Sequence, residues 1–290
     1  MKKHRIAIVT CKDFPELFGG EQLLLPVLRD LGHQVDVCIW DAPDVVWQSY
    51  DAVVIRSPWD YYKKLSQFLA WLDVLAVCKV NVINDIETLR WNLNKSYLLE
   101  LSQAGVPVIP TRLVTSSDQR TLHQIFKAMQ SKDIVIKPVQ SAGAWRTLRV
   151  NSDNLADAEL SFEAWRQEHD FLVQVFMPEI VADGEWSLIY FDGQFSHALL
   201  KRAKAGDFRV QSDHGGTVSK AYASENICRQ AIRSLKHLPR MPCYARVDGV
   251  VRDGTFLLME LELLEPQLFL DIEAQAACRF AEAILSNLNR

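Results

Sequence analysis

Residues 244–263 read YARVDGVVRDGTFLLMELEL, and this stretch decides the fold. Two apolar runs, Tyr244–Val251 and Phe256–Leu263, flank the pair Asp253-Gly254. An Asp-Gly pair between apolar runs is a strong signal for a tight turn, because both residues accept a positive φ. The stretch therefore predicts an antiparallel β-hairpin near the end of the chain.

Carboxylates on this hairpin predict a metal site. Side chains alternate along a strand, so Glu260 and Glu262 share one face, near Asp248 on the first strand. Unpaired carboxylates are costly to bury. A divalent cation removes that conflict, and oxygen ligands favour Mg²⁺ that bridges phosphates. The alternative is a solvated face that Arg246 neutralises.

A second hairpin precedes the first one. Trp186–Phe191 and Phe195–Lys201 flank another Asp-Gly pair, Asp192-Gly193. A final helix is predicted over Ile272–Leu288. The last third of the chain is therefore expected to be α+β with an antiparallel sheet.

The first third predicts a different architecture, in which strands and helices alternate. The predicted strands are Arg5–Thr10, Gln34–Trp40, Ala52–Arg56 and Val80–Asn84, and the predicted helices are Glu21–Leu31 and Leu65–Val77. This order indicates a doubly wound α/β unit with a parallel sheet. Ligands bind beyond the carboxyl ends of such strands, which singles out the loops Cys11–Phe18 and Arg56–Tyr62. No GxGxxG follows the first strand, which argues against a dinucleotide site.

The middle third carries two lysines suited to phosphate. The spacing predicts one helix over Glu87–Ala104, a helix near Leu122–Gln130, and strands at Asp133–Lys137 and Phe171–Phe176. Lys95 lies on the first helix, and Lys137 ends a strand that enters a loop of small residues. Taken alone, each of these lysines is more often a surface residue than a phosphate-binding one. We place the three units at residues 1–88, 89–178 and 179–290.

Several linked motifs share one order with a known family. They are Asn94–Leu98, Ala104–Thr111, Val135–Pro138, Gln140–Thr147, Val173–Ile180, Asp207–Gln211 with Gly215-Gly216, Arg246–Gly249 and Met259–Glu262. Over residues 80 to 270 the sequence resembles the ATP-grasp superfamily, in its bacterial glutathione synthetase-like group. The resemblance implies an ATP-grasp fold behind an N-terminal pre-ATP-grasp domain, with ATP and Mg²⁺ as cofactors.

The resemblance also implies roles for individual residues. ATP would contact Lys95, Lys137, Ser141 and Gly143 at its phosphates, and Gln174, Val175, Phe176 and Met177 at its adenine. Mg²⁺ would bind Asp248, Glu260 and Glu262. Arg209 and Lys201 would stabilise the transferred phosphate as catalytic residues. Predicted substrate contacts are Arg56, Ser57, Trp59, Asp60, His214, Gly215 and Gly216.

The sequence departs from the family pattern at several site positions, and these departures bear on which reaction is expected. Glu262 stands where the family usually has Asn, and Lys201 where it often has Arg. The loop Gln140–Thr147, which resembles the phosphate-covering loop of the family and is called the covering loop below, has one glycine, Gly143, and a bulky Trp145, so we expect it to be stiff. Ser187 replaces the substrate-binding arginine of glutathione synthetases, which argues against glutathione synthesis.

A narrower likeness concerns the N-terminal loops. The runs Thr10–Asp13, Trp40-Asp41 and Ser57–Tyr61, together with Glu260–Pro266 and Phe269, are similar to the subgroup that includes the cyclo-ligase of cycloserine biosynthesis. That likeness implies a small amino-acid-like substrate.

The expected activity is ATP-dependent joining of a carboxylate to an amine through an acyl phosphate. Two alternatives stay open. A small-molecule kinase would use the same ATP site, and a nucleotide-binding regulatory protein would have lost catalysis. Whether both reacting groups belong to one molecule is not decided by the sequence.

Composition restricts the partners. The 290 residues carry a net charge of −4, with 49% apolar and 23% charged residues, which is typical of a globular enzyme. Nothing indicates nucleic-acid or membrane binding. The N-terminus lacks a signal-peptide core, so we expect a cytoplasmic protein with small-molecule carboxylate and amine substrates. Oligomeric state is open, with a homodimer as a common outcome.

Overall fold

The computed structural model describes residues 2–210 and 215–289. Its first sheet has four parallel strands in the order β2-β1-β3-β4. These strands are β1 (Arg5–Thr10), β2 (Gln34–Ile39), β3 (Ala52–Ser57) and β4 (Asn81–Ile83). The predicted parallel sheet is confirmed, with strand ends within about two residues of those expected.

Helices cover both faces of this sheet. Helix α1 (Leu24–Asp30) packs on one face beside α10 (Ala276–Leu288), the last helix of the chain, and α2 (Leu65–Cys78) packs on the other face. The alternation of β1 decides this arrangement, because Ile6 and Ile8 enter the first core and Ala7 and Val9 the second. The sheet is therefore doubly wound, as predicted.

The second sheet is antiparallel, in the order β5-β8-β6-β7. Its strands are β5 (Thr111–Val114), β6 (Asp133–Pro138), β7 (Leu148–Asn151) and β8 (Phe171–Val175). Helices α5 (Leu122–Ala128) and α6 (Leu155–Trp165) share its core. The sequence pattern does not predict β7 or α6.

The third sheet contains both predicted hairpins, in the order β11-β10-β9-β12-β13. Its strands are β9 (Glu185–Phe191), β10 (Gln194–Arg202), β11 (Thr217–Ala221), β12 (Tyr244–Arg252) and β13 (Thr255–Glu262). At both turns the Asp and the Gly have positive φ, 49° and 74° at Asp192-Gly193 and 50° and 74° at Asp253-Gly254. Short helices α7 (Glu179–Ala182), α8 (Glu225–Ala231) and α9 (Arg233–Lys236) complete this part.

The helix expected over Glu87–Ala104 is wrong, because the chain forms two helices there. They are α3 (Ile86–Asn92) and α4 (Tyr97–Gln103). Between them the side chain of Asn94 accepts a hydrogen bond from the Ser96 amide at 3.0 Å. The Lys95 amide leaves the helix pattern and donates to the Val139 carbonyl at 2.8 Å. The break fixes Lys95 against the end of β6.

Among the described residues, no helix combines the length and apolar character that a bilayer crossing needs.

Candidate active site

A cavity of about 470 Å³ is lined by residues of the second and third sheets and by the loops that follow β1 and β3. Most of the predicted site residues share this cavity. Those at its wall are Trp59, Lys95, Lys137, Ser141, Gly143, Gln174, Val175, Phe176, Met177, Lys201, Arg209, Asp248, Glu260 and Glu262. Residues from positions 59 to 262 are thus assembled at one place, although their roles toward ligands stay predictions.

Two lysines meet one carboxylate in the middle of the cavity. Lys95 Nζ lies 3.0 Å from Glu260 Oε1, and Lys137 Nζ lies 3.8 Å from Glu260 Oε2. Although desolvation opposes it, this double positive charge lowers the pKa of Glu260 to about 2. Desolvation also lowers the pKa of Lys137. Glu260 on β13 therefore holds the two ammonium groups close together, where a polyphosphate would contact both of them.

A second charged group lies on β12. The Arg246 guanidinium contacts Asp248 at 3.0 Å and also pairs with Glu262. Lys201 Nζ lies 3.4 Å from Asp248 Oδ2 and 3.3 Å from Glu185 Oε1. Because Asp248 is almost fully buried, these cations are what keep it ionised, and its pKa is lowered despite the cost of burial.

Glu262 is the carboxylate with the least favourable surroundings. Desolvation raises its pKa to about 8, and the neighbouring Glu260 and Asp248 add to the effect against the pull of Arg246. Within the described ranges, no three His, Cys, Asp or Glu side chains already form a metal centre. The carboxylates on β12 and β13 are nevertheless crowded enough that a divalent cation would relieve their repulsion. This donor set of oxygen ligands fits Mg²⁺.

The predicted adenine segment forms an apolar wall of the cavity. Gln174 is buried and donates from Nε2 to Thr111 Oγ1 at 3.0 Å. Its side chain therefore fastens β8 to β5. The guanidinium of Arg149 lies 3.8 Å from the centroid of the Phe176 ring, which Phe208 contacts edge-on at 6.1 Å. The segment is preformed by packing.

The covering loop is anchored by its tryptophan. The Trp145 ring lies 6.1 Å from Tyr62 and 5.3 Å from His169. Ala144 and Arg146 have positive φ values of 57° and 52°, which L-residues adopt rarely. These contacts fix the position of the Trp145 ring, and the stiffness of the loop stays a prediction.

Arg56 lies in the interior and does not reach the cavity, contrary to the substrate-binding prediction. Its side chain is 0% exposed, and Nε lies 2.8 Å from Glu21 Oε2. The guanidinium also donates to the Pro266 carbonyl. A fully paired, buried guanidinium has no free donor face, so we assign Arg56 a structural role.

Ser57 and Asp60 are also placed away from the cavity. Ser57 is fully buried, and Asp60 accepts hydrogen bonds from Trp40 Nε1 and Lys64 Nζ, both at 2.8 Å. Gly215 and Gly216 are absent from the cavity wall as well. His214 lies outside the described residues.

Sequence reasoning missed several residues of the cavity wall. They are Phe14, Phe18, Tyr61, Tyr62, Glu185 and Glu265. The aromatic residues lie within the loops Cys11–Phe18 and Arg56–Tyr62, which the predicted sheet topology indicated as binding loops. The sequence does not show which side chains of a loop face a cavity and which face solvent or the core. Glu265 ends the acidic run that starts at Glu260, and the strand stops before it, so alternation gave no direction for its side chain.

Two family models of known proteins match successive parts of the chain. Residues 95–241 match the family model for the ATP-grasp domain of prokaryotic glutathione synthetase. Residues 6–84 match the model for the N-terminal domain of D-cycloserine synthetase DcsG. The chain is 31% identical over 282 residues to the cycloserine biosynthesis protein DcsG of Streptomyces lavendulae, covering 91% of this chain and 92% of that protein.

Solved structures give the same result. The crystal structure of D-cycloserine synthetase DcsG superimposes with a TM-score of 0.89 and 27% identity, over 98% of this chain and 99% of that one. D-alanine–D-alanine ligase from Bacillus anthracis, in complex with ATP, superimposes with a TM-score of 0.68 at 14% identity. It covers 99% of this chain and 98% of that one, and it shares the fold.

Proposed function

The chain belongs to the ATP-grasp enzymes of the prokaryotic glutathione synthetase group, and we propose that it closes a ring within a small amino-acid-like molecule by forming an amide. It is an ATP-dependent ligase of the C–N-forming type. The observation that supports ring closure is the match to a cycloserine biosynthesis protein over nine-tenths of both chains, including the N-terminal domain.

The polyphosphate of ATP would be bound by the lysine pair. Lys95 and Lys137 are fixed 3.0 Å and 3.8 Å from Glu260, and phosphate oxygens would take over as their partners. Lys95 Nζ also donates to the Ser141 carbonyl at 2.7 Å, which ties it to the covering loop. Binding of ATP would thus connect β13, β6 and this loop.

Asp248, Glu260 and Glu262 would hold Mg²⁺. When bound, the ion would supply charge neutralisation for the phosphates. Lysines that move from Glu260 to the phosphates would free that carboxylate. The pKa of Glu262, raised to about 8 by desolvation and by its acidic neighbours, would fall toward its ordinary value beside a cation.

The first chemical step would transfer a phosphoryl group. A substrate carboxylate attacks the γ-phosphorus of ATP, the bond to the bridging oxygen breaks, and ADP leaves. Lys201, fixed between Glu185 and Asp248, and Arg209, at the cavity wall, would stabilise the charge on the transferred group. The product of this step is an acyl phosphate.

The second step would close the ring. A nitrogen of the same molecule attacks the acyl carbon, the C–O bond to phosphate breaks, and inorganic phosphate leaves with its electron pair. The nitrogen loses a proton to complete the amide. D-cycloserine, which is a five-membered cyclic amide with a primary amino group, is the kind of product that such a step gives.

The test is a stoichiometric assay with Mg²⁺-ATP and a panel of amino-acid derivatives that carry a second nitrogen nucleophile. We expect one member to give equal ADP, phosphate and a product one water lighter by mass spectrometry. Lys137→Ala and Glu260→Gln should lose this turnover. Asp253→Asn, an exposed carboxylate at the far turn of the same hairpin, is the matched control and should keep it.

Two outcomes would contradict ring closure. A phosphorylated product with no free phosphate would indicate a kinase. A product that contains two substrate molecules would indicate joining between molecules, as in a linear ligase.

A further inference from the structure

The N-terminal domain contributes an aromatic wall to the cavity that the steps above do not use. Phe14, Phe18 and Trp59 form a closed triad, with ring centroids 5.3 Å apart for Phe14 and Phe18, 5.3 Å for Phe14 and Trp59, and 4.9 Å for Phe18 and Trp59. Tyr61 and Tyr62 extend this surface. Aromatic faces carry partial negative charge, so this wall favours a cation or an apolar group over a phosphate.

Glu265 is the carboxylate beside this wall. Its backbone carbonyl accepts a hydrogen bond from Trp59 Nε1 at 2.9 Å, and the neighbouring Tyr61 hydroxyl favours the ionised form of its carboxyl, which lowers its pKa. The next residues are fixed as well, because the Arg56 guanidinium donates to the Pro266 carbonyl and Glu21 accepts from the Leu268 amide at 2.8 Å. The carboxylate is therefore positioned before any ligand arrives.

Glu265 differs from the other cavity carboxylates in its charge partners. Glu185, Asp248, Glu260 and Glu262 each have a lysine or arginine within 4 Å. In the part of the chain that the structure describes, no ion pair within 4 Å involves Glu265. Desolvation raises its pKa against the opposing effects of Tyr61 and the more distant Lys95, and Glu260 adds to the rise. A cationic ligand group would relieve this cost.

We propose that Glu265 and the aromatic wall of Phe14, Phe18, Trp59 and Tyr61 bind the primary ammonium group of the substrate. The chemistry selects this group among cations. A divalent metal needs several oxygen ligands, which aromatic rings do not supply. A small ammonium fits one carboxylate and the faces of aromatic rings. The assignment rests on the proposed function, because it names the group by which that site would recognise its substrate and product.

The test measures binding, so that it does not depend on turnover. Calorimetry with Mg²⁺-ADP present would compare D-cycloserine with isoxazolidin-3-one, the same ring without the amino group. We expect the wild type to bind D-cycloserine at least tenfold more tightly. Glu265→Gln should remove this preference, since it keeps the shape and the contact with Tyr61 but loses the charge. Tyr61→Phe, which removes only the hydroxyl, should weaken the preference partly.

Control measurements separate the possible failures. ADP affinity should be unchanged in both variants, Glu265→Gln should not lower the melting temperature, and Asp253→Asn should keep the full preference. A preference below twofold in the wild type, or one that survives Glu265→Gln, would overturn the assignment. If the preference is present but no panel compound turns over, the ammonium site stands and ring closure fails.

Discussion

The cavity has two walls that are stabilised in different ways. On the charged wall, Lys95, Lys137, Lys201 and Arg246 each contact a carboxylate that a ligand or metal ion would also contact. On the aromatic wall, side chains are fixed by ring packing and by the hydrogen bond from Trp59 Nε1 to the Glu265 carbonyl. The lysines and arginine of the charged wall can therefore exchange a carboxylate for a ligand group. The side chains of the aromatic wall keep the same protein contacts with or without a ligand.

This difference indicates how one site serves two ligands. Exchangeable ion pairs suit a nucleotide whose charge changes during the reaction, because lysines can follow the phosphate. A preformed aromatic surface suits a small substrate that offers few contacts and must be oriented at little entropic cost. The four predictions below test whether the two walls are separable.

The largest effect, on unfolding free energy, is expected from loss of the buried Arg56–Glu21 ion pair, which supports the segment beside the aromatic wall. Arg56→Met leaves Glu21 buried without its cation, which costs about 3–5 kcal/mol of unfolding free energy. Urea unfolding measures this loss. Arg120→Met, at an exposed pair with Asp118, should cost below about 1 kcal/mol. A loss as small as that of the control, with a raised KM, would instead return Arg56 to the substrate site.

A substitution on the charged wall should have the opposite effect, with activity reduced and stability unchanged. Lys137→Met removes a cation whose pKa is lowered by burial, and Glu260 keeps Lys95 as its partner. We therefore expect no loss of unfolding free energy, but a fall in kcat of about 10²–10³, the usual effect of removing one preorganised charge contact. Lys132→Met, exposed just before the same strand, is the control. A variant that unfolds more easily but turns over normally would contradict this separation.

The sequence predicted the charged wall better than the aromatic one. Strand alternation alone put Glu260 and Glu262 together, and the ordered motifs brought Lys95 and Lys137 to the same site. Charged residues on apolar strands are conspicuous because burial makes them costly. Aromatic residues in loops carry no such signal, since packing is the common fate of a tryptophan or phenylalanine.

Arg56 shows why a substrate-site prediction was wrong. A guanidinium at the carboxyl end of a parallel strand suggests a ligand contact, and the strand was placed correctly. Its partners are Glu21, Pro266 and the Tyr244 ring, which are distant in sequence. Whether a charged side chain faces a cavity or a buried partner depends on such long-range packing, which one sequence does not contain.

A smaller effect concerns proton binding on the charged wall. Folding raises the pKa of Glu262 from its ordinary value of 4.5 to about 8. Between these values the folded protein binds more protons than the unfolded chain, so unfolding free energy should fall as pH rises through this window. The slope for one group cannot exceed about 1.4 kcal/mol per pH unit.

The measurement is urea unfolding of the wild type and Glu262→Gln from pH 5 to pH 9 without nucleotide. The neutral glutamine should flatten the decline. His197, whose pKa burial lowers to about 4, gives a slope of opposite sign below pH 6.5, but both proteins share it and it cancels in the difference. Parallel curves for the two proteins would rule out Glu262 as the protonated group.

The smallest effect should come from one hydrogen bond of the aromatic wall. Trp59→Phe keeps ring contact with Phe14 and Phe18 but removes the donor to the Glu265 carbonyl, which is worth about 1 kcal/mol. If that bond orients Glu265, affinity for D-cycloserine should fall by a factor of about 5, the equivalent of 1 kcal/mol, while ADP affinity stays the same. The matched control is Trp91→Phe, which loses the hydrogen bond from the indole Nε1 to the exposed carboxylate of Glu100. It should change neither affinity. Equal losses for ADP and D-cycloserine would mean that the two walls are coupled, so that the aromatic wall positions the nucleotide as well as the substrate.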